Sequence, residues 1–306
     1  MKENISHYPI PVIVISIFFF LFPLPSLAKT VIDEARRTVE VPDRPQRVVT
    51  LAPSITEIVF ELGQQHRLKG VTQFSNFPPE ATLLPKVGSY IHLDLEKIVA
   101  LNPDICIATK DGNPLAVVQR LESLNIPVYV VNPHNFETVI KTIRNVGDLL
   151  NSTEQAKKLE NNVTQRLHRI KEKVAQIKHR PAVFFQIGIS PIVSVGTDTF
   201  IHELITLAGA ENLAAGPRTY PRFSKEQVLA LMPEVIIITT MARGDIYKKA
   251  QAEWNSWKQL PAAKNNRVLM INSDLVDRPS PRLVTGLEKL TELIHPDLFK
   301  KDKNRK

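Results

Sequence analysis

Tyr90-Ile-His-Leu-Asp-Leu-Glu96-Lys-Ile-Val-Ala100-Leu-Asn-Pro103-Asp-Ile-Cys-Ile-Ala-Thr109 returns later in the chain as Tyr220-Pro-Arg-Phe-Ser-Lys-Glu226-Gln-Val-Leu-Ala230-Leu-Met-Pro233-Glu-Val-Ile-Ile-Ile-Thr239. Tyr, Glu, Ala, Leu, Pro and Thr keep their places at a constant offset, and the positions between them stay apolar. A fainter echo relates Ile55-Thr-Glu57-Ile-Val-Phe-Glu-Leu-Gly63 to Ile201-His-Glu203-Leu-Ile-Thr-Leu-Ala-Gly209 at a slightly longer offset, as an insertion near Ser190 to Gly196 would produce. The repeat is far longer than the period of a stacked solenoid, so it implies two related lobes. A cleft between two such lobes is the expected place for a ligand.

Working outward from the repeat, short apolar runs alternate with helical stretches. Strands are expected at Val48 to Ala52, Lys69 to Thr72, Ile105 to Thr109 and Val128 to Val131, then at Ala182 to Ile187, Val235 to Thr240 and Val268 to Ile271. Continuous apolar strands separated by helices indicate parallel sheets covered on both faces. Between the halves, Ser152 to about Lys178 contains no Gly or Pro and opens on the capping-box pair Ser152 and Gln155. Ala156, Leu159, Val163, Leu167, Ile170, Val174 and Ile177 recur along it at spacings of three and four. This is one amphipathic helix of about 40 Å at about 1.5 Å per residue. In isolation its stripe would also suit a coiled-coil seam; between two repeats it reads as the connector, stiff enough to keep lobe closure small. The fold class is therefore α/β, two similar lobes with parallel-sheet cores joined by one long helix. The expected division is 1–28 leader, 29–150 N-terminal lobe, 151–179 interlobe helix and 180–306 C-terminal lobe.

The leader follows from Lys2, the apolar run Ile10 to Phe22 and the small residues Ser26-Leu27-Ala28, which place signal-peptide cleavage after Ala28. The run is shorter than the roughly 20 residues of a membrane span and is broken by Pro23 and Pro25; an uncleaved anchor is the alternative. The one cysteine, Cys106, lies in an apolar strand and leaves no thiol for a lipid anchor after the leader. An exported, unlipidated chain points to the periplasm of a Gram-negative source. The net charge of +8 comes from scattered basic residues, the long helix and the tail Lys300 to Lys306. A solvated face explains it, and no nucleic-acid partner is expected. No Gly-x-Ser-x-Gly elbow, phosphate loop or His-Glu-x-x-His helix is present, so an exported enzyme is the weaker alternative and no enzymatic cofactor is expected.

Several motifs in order resemble one family. Arg47-Val-Val-Thr-Leu-Ala-Pro53-Ser-Ile-Thr-Glu57, Phe74-Ser-Asn-Phe77-Pro-Pro79, Val87-Gly88 with Leu95 to Asp104, Ser224-Lys-Glu226-Gln-Val-Leu and Ser280-Pro-Arg282 look like the periplasmic binding proteins that feed ABC importers of cobalamin, ferric siderophores and haem. The resemblance runs from about Arg47 to Leu293 and is greatest to the cobalamin binders. It implies a monomeric, non-enzymatic solute-binding protein that delivers cobalamin to the transmembrane subunits of an inner-membrane ABC importer with cytoplasmic ATPase subunits. Haem or a ferric siderophore is the alternative ligand.

The resemblance also assigns candidate residues. Glu96 and Glu226, equivalent in the repeat and each two residues into a helix begun by Asp94 or Ser224, match two acidic knobs that dock to arginine pockets on the transmembrane subunits. A first-turn carboxylate is also explained by the helix dipole alone, at about 0.3–1 kcal/mol. Tyr90, Tyr220 and Phe74 match aromatic positions that pack on the corrin; each could equally be a half-buried loop aromatic. Asp274 and Arg278 fall where the family places polar ligand contacts, or else pair with each other on a surface loop. Several positions depart from the cobalamin pattern. Tryptophans common in those binders are replaced by Tyr90, Thr109, Tyr220 and Leu275, while Trp254 and Trp257 read as packing residues. The haem-ligating tyrosine of haem-binding relatives corresponds to Ser89, one place before Tyr90. Arg218, Arg222 and Arg243 are the residues that could form a basic siderophore cleft.

Overall fold

The computed structural model describes residues 28–239 and 245–299. The leader to Leu27, Arg243 and the basic tail therefore lie outside the described residues. The chain opens with β1 (Ala28–Ile32) and β2 (Thr38–Pro42), an antiparallel hairpin that sequence reading left unassigned. The N-terminal lobe then runs β3 (Val48–Thr50), α1 (Pro53–Glu61), β4 (Leu68–Gly70), α2 (Leu95–Ala100), β5 (Ile105–Thr109), α3 (Leu115–Ser123), β6 (Val128–Val131) and α4 (Phe136–Leu149). After α5 (Thr153–Val174) the C-terminal lobe runs β7 (Ala182–Gln186), β8 (Ile192–Val193), α6 (Phe200–Leu207), β9 (Glu211–Asn212), β10 (Arg222–Phe223), α7 (Lys225–Ala230), β11 (Val235–Thr239), α8 (Ile246–Ser256), α9 (Pro261–Lys264), β12 (Val268–Ile271), α10 (Ser273–Val276) and α11 (Leu283–Ile294).

Each lobe holds a four-stranded parallel sheet, ordered β4-β3-β5-β6 in the first and β9-β7-β11-β12 in the second. The two orders superimpose strand for strand, so the sequence repeat is a repeat of topology. The central strands β5 and β11 are buried at every residue, as expected when helices cover both faces of a sheet. The equivalence extends to backbone conformation. Gly63 and Gly209 follow the paired helices α1 and α6 at φ +71° and +78°, the left-handed position that favours glycine after a helix. Asn102 and Met232 close α2 and α7 at φ +46° and +48°.

The connector is α5. Ala156, Val163, Ile170 and Val174 are buried, and Leu159, Leu167 and Ile177 pack half-buried against the same core, which is continuous through both lobes. Each fully buried Val or Ile contributes about 1.5–3 kcal/mol. The capping box expected at its start is absent: Ser152 Oγ turns back to the Gly147 carbonyl at 3.3 Å and makes no cap hydrogen bond. Gly147 lets α4 approach α5 so closely that a Cβ there would meet Ala156 Cβ at 2.4 Å. Two forked ion pairs grip the helix, one from each lobe. Arg144 of α4 holds Glu160 (2.5 and 3.3 Å) and Glu288 of α11 holds Arg166 (2.5 and 2.9 Å). Trp254 is a packing residue, buried in α8 with its indole N–H donating to Gln186 at 2.8 Å, and Trp257 packs beside it.

Candidate functional site

The two knobs are built alike. Asp94 caps α2 by accepting from Lys97 N at 3.1 Å, and Ser224 caps α7 in a full capping box with Gln227. Both helices are short and start at the surface, so Glu96 and Glu226 stand exposed in equivalent first turns. The Ser224 hydroxyl holds the Glu226 carboxyl below its ordinary range.

The aromatic pair comes together across the lobes. Tyr90 lies over Gly112, whose φ of +119° and missing Cβ make room for the ring; a Cβ there would sit 2.8 Å from Tyr90 Cδ2. Asn113 fixes the backbone below it, donating to the Tyr90 carbonyl at 2.7 Å and the Leu51 carbonyl at 2.9 Å. Tyr220, from the other lobe, approaches the Asp111 carboxylate near Tyr90. Burial first, then the charges of Asp111 and Asp277, raise the Tyr90 phenol; burial and the same carboxylates push Tyr220 up to about 12. Both phenols are therefore neutral hydrogen-bonding groups. Phe74 is 45% exposed on the loop after β4, and the next residue, Ser75, is anchored in a buried hydroxyl chain with Thr56 (2.9 Å) and Thr72 (3.0 Å).

Asp277 was not anticipated from the sequence. It caps the end of α10, accepts from Thr239 Oγ1 at 3.2 Å and leaves Oδ1 buried without a hydrogen-bond partner. Burial pushes its carboxyl up to about 7. Thr239 ends β11, so this group sits at the carboxyl end of a parallel strand, where ligands bind in open α/β sheets.

Asp274 and Arg278 do pair (2.6 Å), yet within a partly buried network between the lobes and not as a surface pair. Arg278 also donates to Glu57 Oε1 (2.9 Å), Asn76 Oδ1 (2.8 Å) and the Phe74 carbonyl (3.0 Å), while Asn76 donates to Asp274 at 2.9 Å. Glu57, 1% exposed in the middle of α1, accepts from Ser280 Oγ at 2.5 Å and meets Arg282 at 3.3 Å; the Arg282 guanidinium in turn covers the Phe77 ring at 3.6 Å. Burial raises the Glu57 carboxyl against Ser280 and the two arginines. Arg278 thus positions the Phe74 loop, a role its spacing did not suggest. Arg218 and Arg222 are exposed near β10. Among the described residues no cluster of His, Cys, Asp and Glu could hold a metal ion. An open depression of about 420 Å³ between α5 and α11, walled by Arg166, Arg169 and Glu288, lies on the connector and away from these residues.

Two lobes built on the same sheet topology are the architecture of a solute-binding protein, and the chain belongs to the family described as periplasmic binding protein, whose model matches residues 48–275. It is a substrate-binding protein of the kind that serves ABC transporters. The vitamin B12-binding protein of Vibrio parahaemolyticus is 31% identical over 249 residues, covering 81% of this chain and 88% of that protein. Among solved structures, the periplasmic vitamin B12-binding protein BtuF of Vibrio cholerae aligns with TM-score 0.73 and 28% identity, over 85% of this chain and all of that one. A periplasmic haem-binding protein from Pseudomonas aeruginosa aligns with TM-score 0.76 and 30% identity, over 82% and 93%.

Proposed function

We propose that this chain captures a corrinoid, cobalamin by preference, in the interlobe cleft and delivers it to an inner-membrane permease. The observation that carries this reading is that Tyr90 of one lobe and Tyr220 of the other come near the same two carboxyl groups, Asp111 and Asp277. The two rings offer flat apolar surface, and the carboxyl groups offer hydrogen-bond acceptors. A corrin, fringed with amide N–H donors, complements that lining. Haem would bring its two carboxylates toward the exposed carboxylate of Asp111, and like charges close together disfavour each other. Ferric haem also favours a phenolate ligand, whereas these phenols are held neutral in the free protein.

Phe74, Asp274 and Arg278 complete the proposed ligand site, and Glu96 and Glu226 the docking surface, where charge sets register and encounter rate more than affinity. We place the protein in the periplasm as a monomer, with the leader removed after Ala28, the lobe boundaries at 29–150 and 180–306, and the connector at 151–179. Haem remains the second reading, on the strength of the likeness to the Pseudomonas aeruginosa protein. Isothermal titration of the mature chain with cyanocobalamin and, in parallel, haemin tests the choice: tight one-to-one heat with cyanocobalamin alone is expected, and heat with haemin alone overturns it.

A further inference from the structure

Glu57 and Glu203 occupy equivalent places in the repeat, in α1 and α6. Each leaves its own lobe. Glu57 crosses to the start of α11, where Ser280 donates at 2.5 Å and Arg278 and Arg282 lie at 2.9 and 3.3 Å. Glu203 crosses the other way, to the start of α4, where its Oε2 accepts from Phe136 N at 2.7 Å. Since α4 and α11 each follow the edge strand of their sheet, β6 and β12, the two contacts are the same contact made twice in opposite directions. Neither helps its own lobe fold, because both partners belong to the opposite lobe. We propose that Glu57 and Glu203 are a reciprocal pair of interlobe clasps, positioning residues that set the cleft width.

The clasps differ in strength. Glu57 is buried against two guanidinium groups and a hydroxyl, and removing one side of such a pair leaves uncompensated charge in the interior. Glu203 is half-buried and holds a helix N-terminus by one backbone N–H, with the Lys171 charge nearby on one side and Glu137 opposing. The Glu57 clasp reaches the ligand residues through shared partners, since Arg278 also holds the Phe74 carbonyl and Asp274. Loosening it therefore changes both the cleft width and the seat of Phe74.

The test is the interlobe distance in the mature chain. Nitroxides go on cysteines introduced at the exposed positions Leu124 and Lys264, one in each lobe; Cys106 is buried, its thiol pushed up to about 12, and takes no label. The parent protein is expected to give one narrow distance distribution by double electron–electron resonance. Glu57→Gln together with Glu203→Ala should at least double its width, whereas Glu203→Gln, whose amide oxygen still accepts the Phe136 N–H, should keep the parent width. If the binding-competent arrangement falls to about a tenth of the population, the apparent affinity for cyanocobalamin falls about tenfold; this arm rests on the proposed ligand, and the width does not. Should Glu57→Gln fail to fold, Ser280→Ala with Glu203→Ala leaves the arginine pairs in place and should give an intermediate width. An unchanged width in the folded variants, accompanied only by a lower melting temperature, overturns the proposal.

Discussion

Asp277 carries the most direct test of the cleft chemistry. Its carboxyl moves from an ordinary value of 3.8 to about 7 because burial penalises the charge, and Oδ1 has no partner to offset that cost. In the unfolded chain the proton leaves near pH 4; in the folded protein it stays until about pH 7. Between those values the folded state holds more protons, so stability falls as pH rises through this window and is level above it. Roughly three decades at about 1.4 kcal/mol each set an upper limit of about 4 kcal/mol, and we expect about 2–4 kcal/mol. Asp277→Asn keeps the shape and the bond from Thr239 but removes the titration. Urea unfolding of both proteins at pH 5 and pH 8 is the assay. The variant should gain over the parent by this amount at pH 8 and much less at pH 5. Parallel stability profiles for the two proteins would refute the reasoning. A gain in stability together with weaker binding of cyanocobalamin would show that the buried acid is retained for the ligand.

Further outcomes are expected elsewhere. Glu96→Lys with Glu226→Lys should abolish stimulation of the importer ATPase in proteoliposomes while leaving ligand affinity within about twofold, because both side chains point into solvent; equal loss of ligand binding would remove them from docking. Tyr90→Ala and Tyr220→Ala should each weaken corrinoid binding several-fold by calorimetry, and Gly112→Ala should do the same by displacing the Tyr90 ring. Met232→Asn should raise stability by up to about 1 kcal/mol in chemical denaturation, since Met232 sits at φ +48° where its counterpart is Asn102 and asparagine tolerates that region better. Gly147→Ala should cost about 1–3 kcal/mol by overpacking α4 on α5.

How much was legible in the sequence depended on the range over which each signal acts. The runs Ile105 to Thr109 and Val128 to Val131 became strands at the expected residues because continuous apolar runs bounded by turns are local signals. The stripe of α5 was visible for the same reason. Its capping box was not realised, since Ser152 adopts ψ 39° and its hydroxyl goes to the Gly147 carbonyl; a cap needs backbone geometry that spacing alone does not specify. The β1–β2 hairpin has a weak local signal because β1 alternates only between exposed and half-buried residues around a charged turn, and only Val39 and Val41 of β2 are buried. Glu57 and Asp277 carry no local mark at all. Glu57 finds Arg278 at a sequence separation of 221 residues, and Asp277 is defined by burial against Thr239, 38 residues away. The equivalence of Glu57 and Glu203 is visible in the sequence, but that both cross the same lobe boundary is set by tertiary packing alone.

The two forked ion pairs on α5 bear on how the molecule can breathe. The N-terminal lobe grips the helix by an ion pair at Glu160 and the C-terminal lobe by one at Arg166, so only about 9 Å of helix, at about 1.5 Å per residue, separates the two grips. Between the grips lie Asn161-Asn-Val-Thr-Gln165, of which Val163 is buried in the core, a stretch dominated by residues that favour helix weakly. The connector is therefore a rod clamped at two points, and a twist between the arms would be taken up over five residues, none of which is among those proposed to hold the ligand or to dock.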